Sequence, residues 1–211
     1  LFTFRSGDGQ SLRGLGPGLS PPFSQGFETV ADNWFAKNTN SNQPWVLLNA
    51  ENYPEYVHNG DYAIWINYDS DELSNNWLYS PTINLTNFTH MNLVFWTITD
   101  TNWPGATVRF HIIGDGFDDV VWDLIVDENW PTFEYRQKII SLDAYCGEKI
   151  KIAWQYVGID GESVGLDDIY ITLYRPPEEP SIIMGPLTGK SGISYEYQIT
   201  TTDPDGDNIY Y

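Results

Sequence analysis

The sequence predicts an all-β protein, an antiparallel β-sandwich. Two observations support this fold class between residues 23 and 175: apolar and polar residues alternate with period two, and short polar turns such as Asn59-Gly60-Asp61 separate the alternating segments. The third observation is that the same region has almost no helical periodicity. No glycine-rich loop joins a strand to a helix, which disfavours a nucleotide-binding parallel sheet.

The predicted strands follow one another at short intervals. Their apolar positions alternate most clearly in 149–156, where Ile150, Ile152 and Trp154 share one side and two lysines the other. In chain order the predicted strands include 62–67, 76–85, 91–99, 107–112, 120–126, 133–140, 149–156 and 167–174. With further short segments, about nine or ten strands are expected, as in other sandwiches.

Composition narrows the possible partners. The 211 residues include 10 Lys and Arg against 29 Asp and Glu, a formal net charge of −19, while 41% hydrophobic residues are enough for a sizeable core. This acidity argues against nucleic-acid partners, which require a positive field to displace phosphate counterions. No apolar run approaches the ~20 residues of a membrane span, so membrane insertion is not expected. Bound cations are compatible with the charge.

Both ends of the sandwich are marked by Gly and Pro. Residues 1–22 are predicted to be a flexible Gly/Pro-rich leader, because residues 5–22 contain five Gly and three Pro. Residues 176–180 are predicted to be a Pro-rich linker, since proline cannot donate to a strand ladder. The sandwich is therefore expected over residues 23–175. We interpret the chain, which begins at Leu1 without an initiator Met, as a piece of a longer protein.

Six short motifs occur in a fixed order along the sandwich region. They are Gly26-Phe27-Glu28 with Trp34 after it, Gly60-Asp61-Tyr62-Ala63, and the segments 76–85 (NWLYSPTINL), 140–147 (ISLDAYCG), 150–154 (IKIAW) and 165–171 (GLDDIYI). This series resembles the MAM-like jelly-roll modules known as cleaved-adhesin or choice-of-anchor J domains, over roughly residues 24–174. The resemblance implies a jelly-roll fold on a secreted or surface-anchored prokaryotic protein.

The segment after the linker has a different character. Its motifs are 180–186 (PSIIMGP), two glycines, 195–197 (YEY) and 203–207 (DPDGD). They resemble the opening strands of a PKD or other Ig-like repeat. Because a complete Ig-like domain has ~100 residues, residues 181–211 are expected to be an incomplete, truncated Ig-like repeat.

Catalytic signals are absent from the sequence. There is no Gly-x-Ser-x-Gly elbow, and Cys146 lies in a Tyr-Cys-Gly turn without a linked histidine, which favours a small turn residue over a catalytic thiol. No pair of carboxylates is marked out for glycoside hydrolysis. The sequence therefore predicts a protein that is not an enzyme, with a hydrolase site on the sandwich kept as a remote alternative.

Two tryptophans in loops are the candidate ligand-binding residues. Trp103 lies beside Pro104, and Trp130 lies beside Pro131. Loop aromatics can stack on sugar rings while polar neighbours bind the hydroxyl groups, although the same rings could simply cap the ends of the sandwich. Five other tryptophans lie within strand patterns and are expected mostly in the core, namely Trp65, Trp77, Trp96, Trp122 and Trp154.

Acidic residues near the two ends of the sandwich suggest a structural calcium ion. Alternation places Asp167 on the face of Ile169 and Ile171, where a carboxylate is costly unless it is paired. The resemblance places Glu28 on the neighbouring strand and implies an ion, since similar modules often contain one. The predicted ligands are Glu28, Asp61, Asp167 and Asp168. The alternative is that Asp167 is protonated or accepts hydrogen bonds from backbone amides.

The predicted function is a non-catalytic binding or adhesion module, extracellular or on a cell surface and stabilised by calcium. Its partners would be an extracellular glycan or protein ligand and neighbouring domains of the same chain. A carbohydrate-binding module that targets a separate hydrolase domain is the first alternative. An architectural spacer that binds only ions and its neighbouring domains is another.

Overall fold

A computed structural model describes residues 18–28, 34–99, 105–127, 133–173, 178–180 and 183–203. The chain divides into two compact units between Thr172 and Leu173. In the described residues no helix is long and apolar enough to cross a membrane. The described strands are β1 Phe23–Gln25, β2 Phe35–Lys37, β3 Val46–Asn49, β4 Tyr62–Ile66, β5 Ser74–Tyr79, β6 Ile83–Asn84, β7 Met91–Thr99, β8 Ala106–Gly114, β9 Phe117–Asp123, β10 Arg136–Ser141, β11 Lys149–Gly158, β12 Val164–Leu173, β13 Ile183–Met184 and β14 Gln198–Ile199.

The first unit consists of two six-stranded sheets. Sheet I has the order β10-β7-β12-β4-β3, with β1 also paired to β12, and sheet II has the order β2-β5-β11-β8-β9, with β6 also paired to β11. The strand pairs with a described register are antiparallel, as β11 is with both β5 and β8. The all-β sandwich predicted from the sequence is confirmed.

Aromatic side chains join the two sheets. Phe95 of sheet I is fully buried, and its ring centroid lies 5.7 Å from that of Phe110, 5.8 Å from Trp122 and 5.4 Å from Trp154, all of sheet II. Such offset and edge contacts between large rings add to the free energy of burial. Strand β7 matches the predicted segment 91–99 at both ends.

In the part of the chain that the structure describes, helical structure is limited to one short α-helix, α1 Leu124–Asp127, and the 3-10 helices Pro54–Tyr56 and Asp143–Tyr145. The predicted strand 120–126 is therefore wrong in its second half. Asp123 explains the change, because its Oδ1 accepts the backbone N–H groups of Ile125 and Val126 at 3.1 and 3.3 Å and so caps the helix.

The last residues of the predicted leader lie against the sandwich. Leu19 forms a parallel bridge with Ile83 of β6. Its N–H donates to the carbonyl of Thr82, and its own carbonyl accepts the N–H of Asn84, both at 2.8 Å. Residues 1–17 lie outside the described part of the chain.

The second unit contains a small antiparallel ribbon. Strands β13 and β14 pair with Ile183 opposite Ile199 and Met184 opposite Gln198. Several apolar side chains of this unit are exposed, including Leu187 and Tyr197. That the segment is an incomplete Ig-like repeat stays a prediction.

Candidate functional site

Three of the four predicted calcium ligands reach one turn, residues 58–62, which we call the acid-binding turn. Asp167 is fully buried there. Its Oδ2 accepts the backbone N–H groups of His58 and Asn59 at 3.0 and 3.3 Å, and its Oδ1 accepts the N–H of Asp168 at 2.7 Å. A buried carboxylate without partners is strongly unfavourable, so these three donors allow Asp167 to occupy the site.

An irregularity in β12 directs this carboxylate to the turn. Leu166 and Ile169 both belong to the core, although they are three residues apart and strict alternation would separate them. Asp168 between them has a φ of 46°, in the left-handed region, which Asp adopts more readily than most residues. The alternation that placed Asp167 with Ile169 therefore breaks here. The Asp167 carboxylate meets backbone N–H groups, as in the alternative given above.

Glu28 binds the other end of the same turn. Its Oε2 accepts the N–H of Asp61 at 2.7 Å, and its Oε1 accepts the N–H of Tyr62 at 3.1 Å. Gly60 has a φ of 77°, and a Cβ at this position would overlap the Glu28 carboxylate. Glycine suits this position for two reasons, the left-handed backbone and the close approach of the Glu28 carboxylate, which a larger residue would push away from its hydrogen bonds. Asp61 contributes its backbone N–H to this contact, and the residue is exposed.

His58 connects the second acid of β12, Asp168, to Trp96 of β7. Its Nδ1 lies 2.7 Å from Asp168 Oδ2, and its ring stacks on Trp96 with centroids 4.0 Å apart and an interplanar angle of 18°. The hydroxyl of Tyr170 donates to Asp168 Oδ1 at 3.1 Å. Asp168 therefore has a partner for each oxygen.

Burial and charge change the titration of this region. Burial raises the pKa of Asp167 to about 7 and the charge of Asp168 adds to the shift, while the backbone N–H groups oppose it. The pKa of Tyr135 is raised as well, first by burial and then by the charges of Asp167 and Asp168. The arrangement favours a neutral Asp167 below neutral pH.

The acid-binding turn contains the type of ligand that calcium prefers, but the oxygens already have partners within the protein. Carboxylates are the ligands that this hard cation prefers, and the acid-binding turn gathers those of Glu28, Asp167 and Asp168. Each of their six oxygens, however, already accepts a hydrogen bond from the protein or pairs with His58. Within the described residues, no three His, Cys, Asp or Glu side chains form a group that could hold a metal ion.

The two predicted ligand-binding residues, Trp103 and Trp130, lie outside the described residues. Their role stays a prediction. The five strand tryptophans divide into two groups: Trp65, Trp122 and Trp154 are buried as expected, whereas Trp77 and Trp96 are only half-buried.

Trp77 belongs to a second cluster, on the face of sheet II that points away from the core, which we call the outer face. Strand register aligns its side chains in two cross-strand rows. The first row is Phe35, Tyr79, Ala153, His111 and Val120, and the second is Lys37, Trp77, Gln155, Arg109 and Asp123. Alternation with core residues such as Ala36, Leu78 and Trp154 sets this orientation.

Three half-buried rings form a continuous series on the outer face. The centroids of Phe35 and Tyr79 are 5.6 Å apart with planes at 24°, and those of Tyr79 and Trp77 are 5.4 Å apart with planes at 5°. His111 lies 4.6 Å from Trp77, across the small Ala153. Burial, followed by the charge of Asp118, raises the pKa of Tyr79 to about 12, so its hydroxyl stays protonated near neutral pH.

A hydrogen-bonded chain of polar side chains borders these rings. Asn75 Oδ1 accepts Trp77 Nε1–H at 2.8 Å and Gln155 Nε2–H at 2.9 Å. The Gln155 Oε1 consequently faces His111 Nε2 at 3.2 Å, and His111 Nδ1 lies 2.7 Å from Asp118 Oδ1. Both ring nitrogens of His111 therefore face side-chain oxygens, one from Gln155 and one from Asp118.

Sequence reasoning missed the outer face because in β5 two large aromatic residues face outward and a polar residue faces the core. Trp77 and Tyr79 resemble core residues and Asn76 resembles a surface residue, yet Asn76 is fully buried. Its Oδ1 accepts the N–H groups of Thr39 and Asn40 at 2.7 and 3.0 Å, which satisfies its polarity. The available signal was Leu78, whose burial requires that both flanking rings point outward.

Comparison with known proteins identifies the fold. No protein-family model matches the chain, and no curated protein is similar to it in sequence. The K1 cleaved adhesin domain of Lys-gingipain from Porphyromonas gingivalis W83 matches with a TM-score of 0.56 at 17% identity, covering 74% of this chain and 99% of that domain. The K2 domain of Lys-gingipain matches with a TM-score of 0.52 at 16% identity, covering 72% and 100%.

A carbohydrate-binding module has a similar fold. TmCBM61, solved in complex with beta-1,4-galactotriose, matches with a TM-score of 0.51 at 20% identity, covering 67% of this chain and 89% of that module. At these identities the likeness is one of fold. The resemblance to cleaved-adhesin domains predicted from sequence motifs is supported at that level.

Proposed function

We propose that this protein is a non-catalytic binding module of a secreted or surface-anchored protein and that its outer face binds a glycan. The observation that carries the proposal is the series of rings formed by Phe35, Tyr79 and Trp77, bordered by the polar chain of Asn75, Gln155 and His111. Apolar rings can stack on the C–H surface of a sugar, and neighbouring amides can form hydrogen bonds with its hydroxyl groups.

Preorganisation favours binding at this surface. The Trp77 indole is held by Asn75, and its ring is packed between Tyr79 and His111. Less side-chain entropy is therefore lost when a ligand is bound than for mobile side chains. Aromatic rings also supply a large contact area with few rotatable bonds.

The comparisons support a binding role over an enzymatic one. The chain shares its fold with two cleaved adhesin domains and with a carbohydrate-binding module that was solved with an oligosaccharide. Shared fold is analogy only, so the proposal rests on the ring series. No described feature favours a catalytic site.

The test is a glycan array followed by titration calorimetry with the best ligand. Trp77→Ala and Tyr79→Ala are each expected to weaken binding about tenfold or more, because each removes a stacking surface. Tyr53→Ala is the matched control, since it removes an exposed ring that contacts Tyr56 and belongs to neither cross-strand row of the outer face. Unchanged affinity in both outer-face variants would overturn the proposal.

The loop pair Trp103 and Trp130 is the competing location on the same protein. The double variant Trp103→Ala/Trp130→Ala is measured with the same ligand. If this variant loses binding while Trp77→Ala retains it, the glycan site lies in the loops, as the sequence predicted.

We also propose that a structural calcium ion is held by Glu28, Asp61, Asp167 and Asp168. The support is electrostatic: three carboxylates share one turn in a chain with a net charge of −19, and a divalent cation would offset their repulsion. The ion would have to replace hydrogen bonds that these oxygens make now.

Thermal unfolding in excess calcium and in EDTA tests this part. Calcium at ~100 times its Kd is expected to add about 2.7 kcal/mol to the free energy of unfolding, and Glu28→Gln/Asp167→Asn should remove the effect. If neither calcium nor EDTA changes the melting temperature of the wild-type protein, the calcium proposal is wrong and the acids serve only as hydrogen-bond acceptors.

A further inference from the structure

The outer face is unusually basic for so acidic a chain. Six Lys and Arg residues are described in the sandwich unit, and four of them lie on this face: Lys37, Arg109, Lys149 and Lys151. Their side follows from alternation, because Ala36, Phe110, Ile150 and Ile152 beside them are core residues. This concentration contrasts with a net charge of −19 for the chain.

Two of these cations lie in the row that contains Trp77. Lys37 is opposite Trp77, Trp77 is opposite Gln155, and Gln155 is opposite Arg109. With strands ~4.8 Å apart, three steps separate the two cations by about 14 Å of backbone across the sheet. An extended ligand lying across the strands would meet an ammonium, an indole, an amide and a guanidinium in turn.

The described carboxylates of the outer face are already engaged. Asp123 accepts the Nε–H of Arg109 at 3.0 Å and the hydroxyl of Thr107 at 2.6 Å, in addition to the helix N–H groups described above. Asp118 faces His111 Nδ1 at 2.7 Å. The ion pair with Asp123 involves the Nε of Arg109, and the two terminal nitrogens of a guanidinium can bind a carboxylate in a bidentate geometry.

We propose that the glycan bound by the outer face is acidic: an oligosaccharide that contains uronic acids, whose carboxylates pair with Lys37, Arg109 and Lys151 while its sugar rings lie on Trp77 and Tyr79. This inference rests on the proposed function and specifies its ligand class. Charge complementarity supports it, because a carboxylated ligand would be repelled by most of this chain and attracted by this face.

The experiment compares uronic-acid oligosaccharides with their methyl esters, which keep the same sugars and linkages but lose the charge. The probes are oligogalacturonate, oligomannuronate and hyaluronan oligosaccharides, measured by titration calorimetry against wild-type protein. For the preferred probe we expect the acid to bind about fivefold more tightly than its ester. Only the acid should lose affinity as salt is raised from low to high ionic strength.

Charge variants locate the effect. Lys37→Gln/Lys151→Gln should remove most of the preference for the acid and leave the affinity for the ester nearly unchanged. Lys190→Gln, which removes a charge from the second unit, is the matched control and should preserve the preference. Melting temperatures of all variants establish that they are folded.

The outcomes separate the two proposals. Equal binding of acids and esters, or of acids and neutral oligosaccharides on the array, would overturn the acidic ligand class and leave a glycan-binding function standing. A preference that survives Lys37→Gln/Lys151→Gln, or equally tight binding of sulfated oligosaccharides or nucleic acid, would also overturn it. If no glycan of any kind binds, the proposed function itself is wrong.

Discussion

The acid-binding turn and the outer face of sheet II use polar side chains in opposite ways. In the turn, the carboxylates of Glu28, Asp167 and Asp168 face backbone N–H groups and His58, and Asp167 is fully buried. On the outer face, Lys37 and Arg109 lie on exposed positions of a sheet surface next to half-buried rings.

Charges that stabilise this fold are thus distinct from those that are available to a ligand. A buried carboxylate must satisfy its hydrogen bonds within the protein, so the turn holds together segments that are far apart in sequence. Exposed charges gain little from one another in water and contribute little to stability. Substitutions in the turn should therefore change the free energy of unfolding, and substitutions on the outer face should change binding.

The largest effect is expected for Asp167→Ala. The substitution leaves the N–H groups of His58, Asn59 and Asp168 without their acceptor, and should lower the free energy of unfolding by about 3–4 kcal/mol. Chemical denaturation measures the loss. Asp115→Ala, in the exposed turn between β8 and β9, is the control and should stay within about 0.5 kcal/mol of wild type. Equal stability of the two variants would contradict a stabilising role of the turn.

The next effect is a dependence on pH. The folded pKa of Asp167 is raised to about 7 from 3.8, with burial as the main cause, so the folded protein keeps a proton that the unfolded chain has already lost. The free energy of unfolding should fall as pH rises through this window, by about 2–3 kcal/mol between pH 5 and pH 8. Denaturation in EDTA measures it, because bound calcium would hold Asp167 ionised.

Asp167→Asn isolates this contribution, since the amide does not titrate. The difference in unfolding free energy between wild type and Asp167→Asn should decline with rising pH in EDTA. A difference that is constant across the range would show that Asp167 titrates normally. A difference that rises with pH would indicate that the ionised carboxylate is the stabilised form.

A smaller effect separates two glycines with similar backbones. Gly60 and Gly116 have φ values of 77° and 90°, so alanine is strained at both. Only at Gly60 would a Cβ meet the Glu28 carboxylate, whereas nothing lies within 4 Å at Gly116. Gly60→Ala should thus be about 1–2 kcal/mol more destabilising than Gly116→Ala in denaturation experiments. Equal losses would mean that Glu28 does not brace the turn.

The sandwich could be predicted from the sequence because alternation and turns are local signals. Strand β7 was predicted with its observed ends, and the grouping of Glu28 with Asp167 and Asp168 followed from a motif resemblance. The irregularity at Asp168 could not be read from the sequence, since alternation contains no sign of one residue in a left-handed conformation. It decides what the Asp167 carboxylate contacts.

The outer face was hidden for a different reason. Which side of β5 faces the core depends on Asn76, which is buried because the distant segment at Thr39 and Asn40 supplies its hydrogen bonds. Such partners, 36 and 37 residues away in sequence, are set by tertiary structure. Hydropathy alone therefore assigned Trp77 to the core.

The smallest effect on stability, and a clear one on binding, is expected for Asn75→Ala. Asn75 Oδ1 accepts hydrogen bonds from both Trp77 and Gln155. All three residues are only partly buried, so water can replace the lost acceptor and the free energy of unfolding should fall by less than about 1 kcal/mol. The indole of Trp77 would lose the bond that fixes its orientation, and the polar chain would lose its link between Trp77 and Gln155.

Glycan affinity should consequently fall about three- to fivefold in Asn75→Ala, since a mobile ring must be ordered again when the ligand binds. Asn92→Ala on β7 is the matched control: it removes a partly buried Asn from sheet I and should change neither property. Calorimetry and denaturation on the same samples give both quantities. Because the variant leaves every ring and every cation of the outer face in place, a loss of affinity would come from orientation alone. Unchanged affinity would mean that stacking and charge suffice without the polar chain.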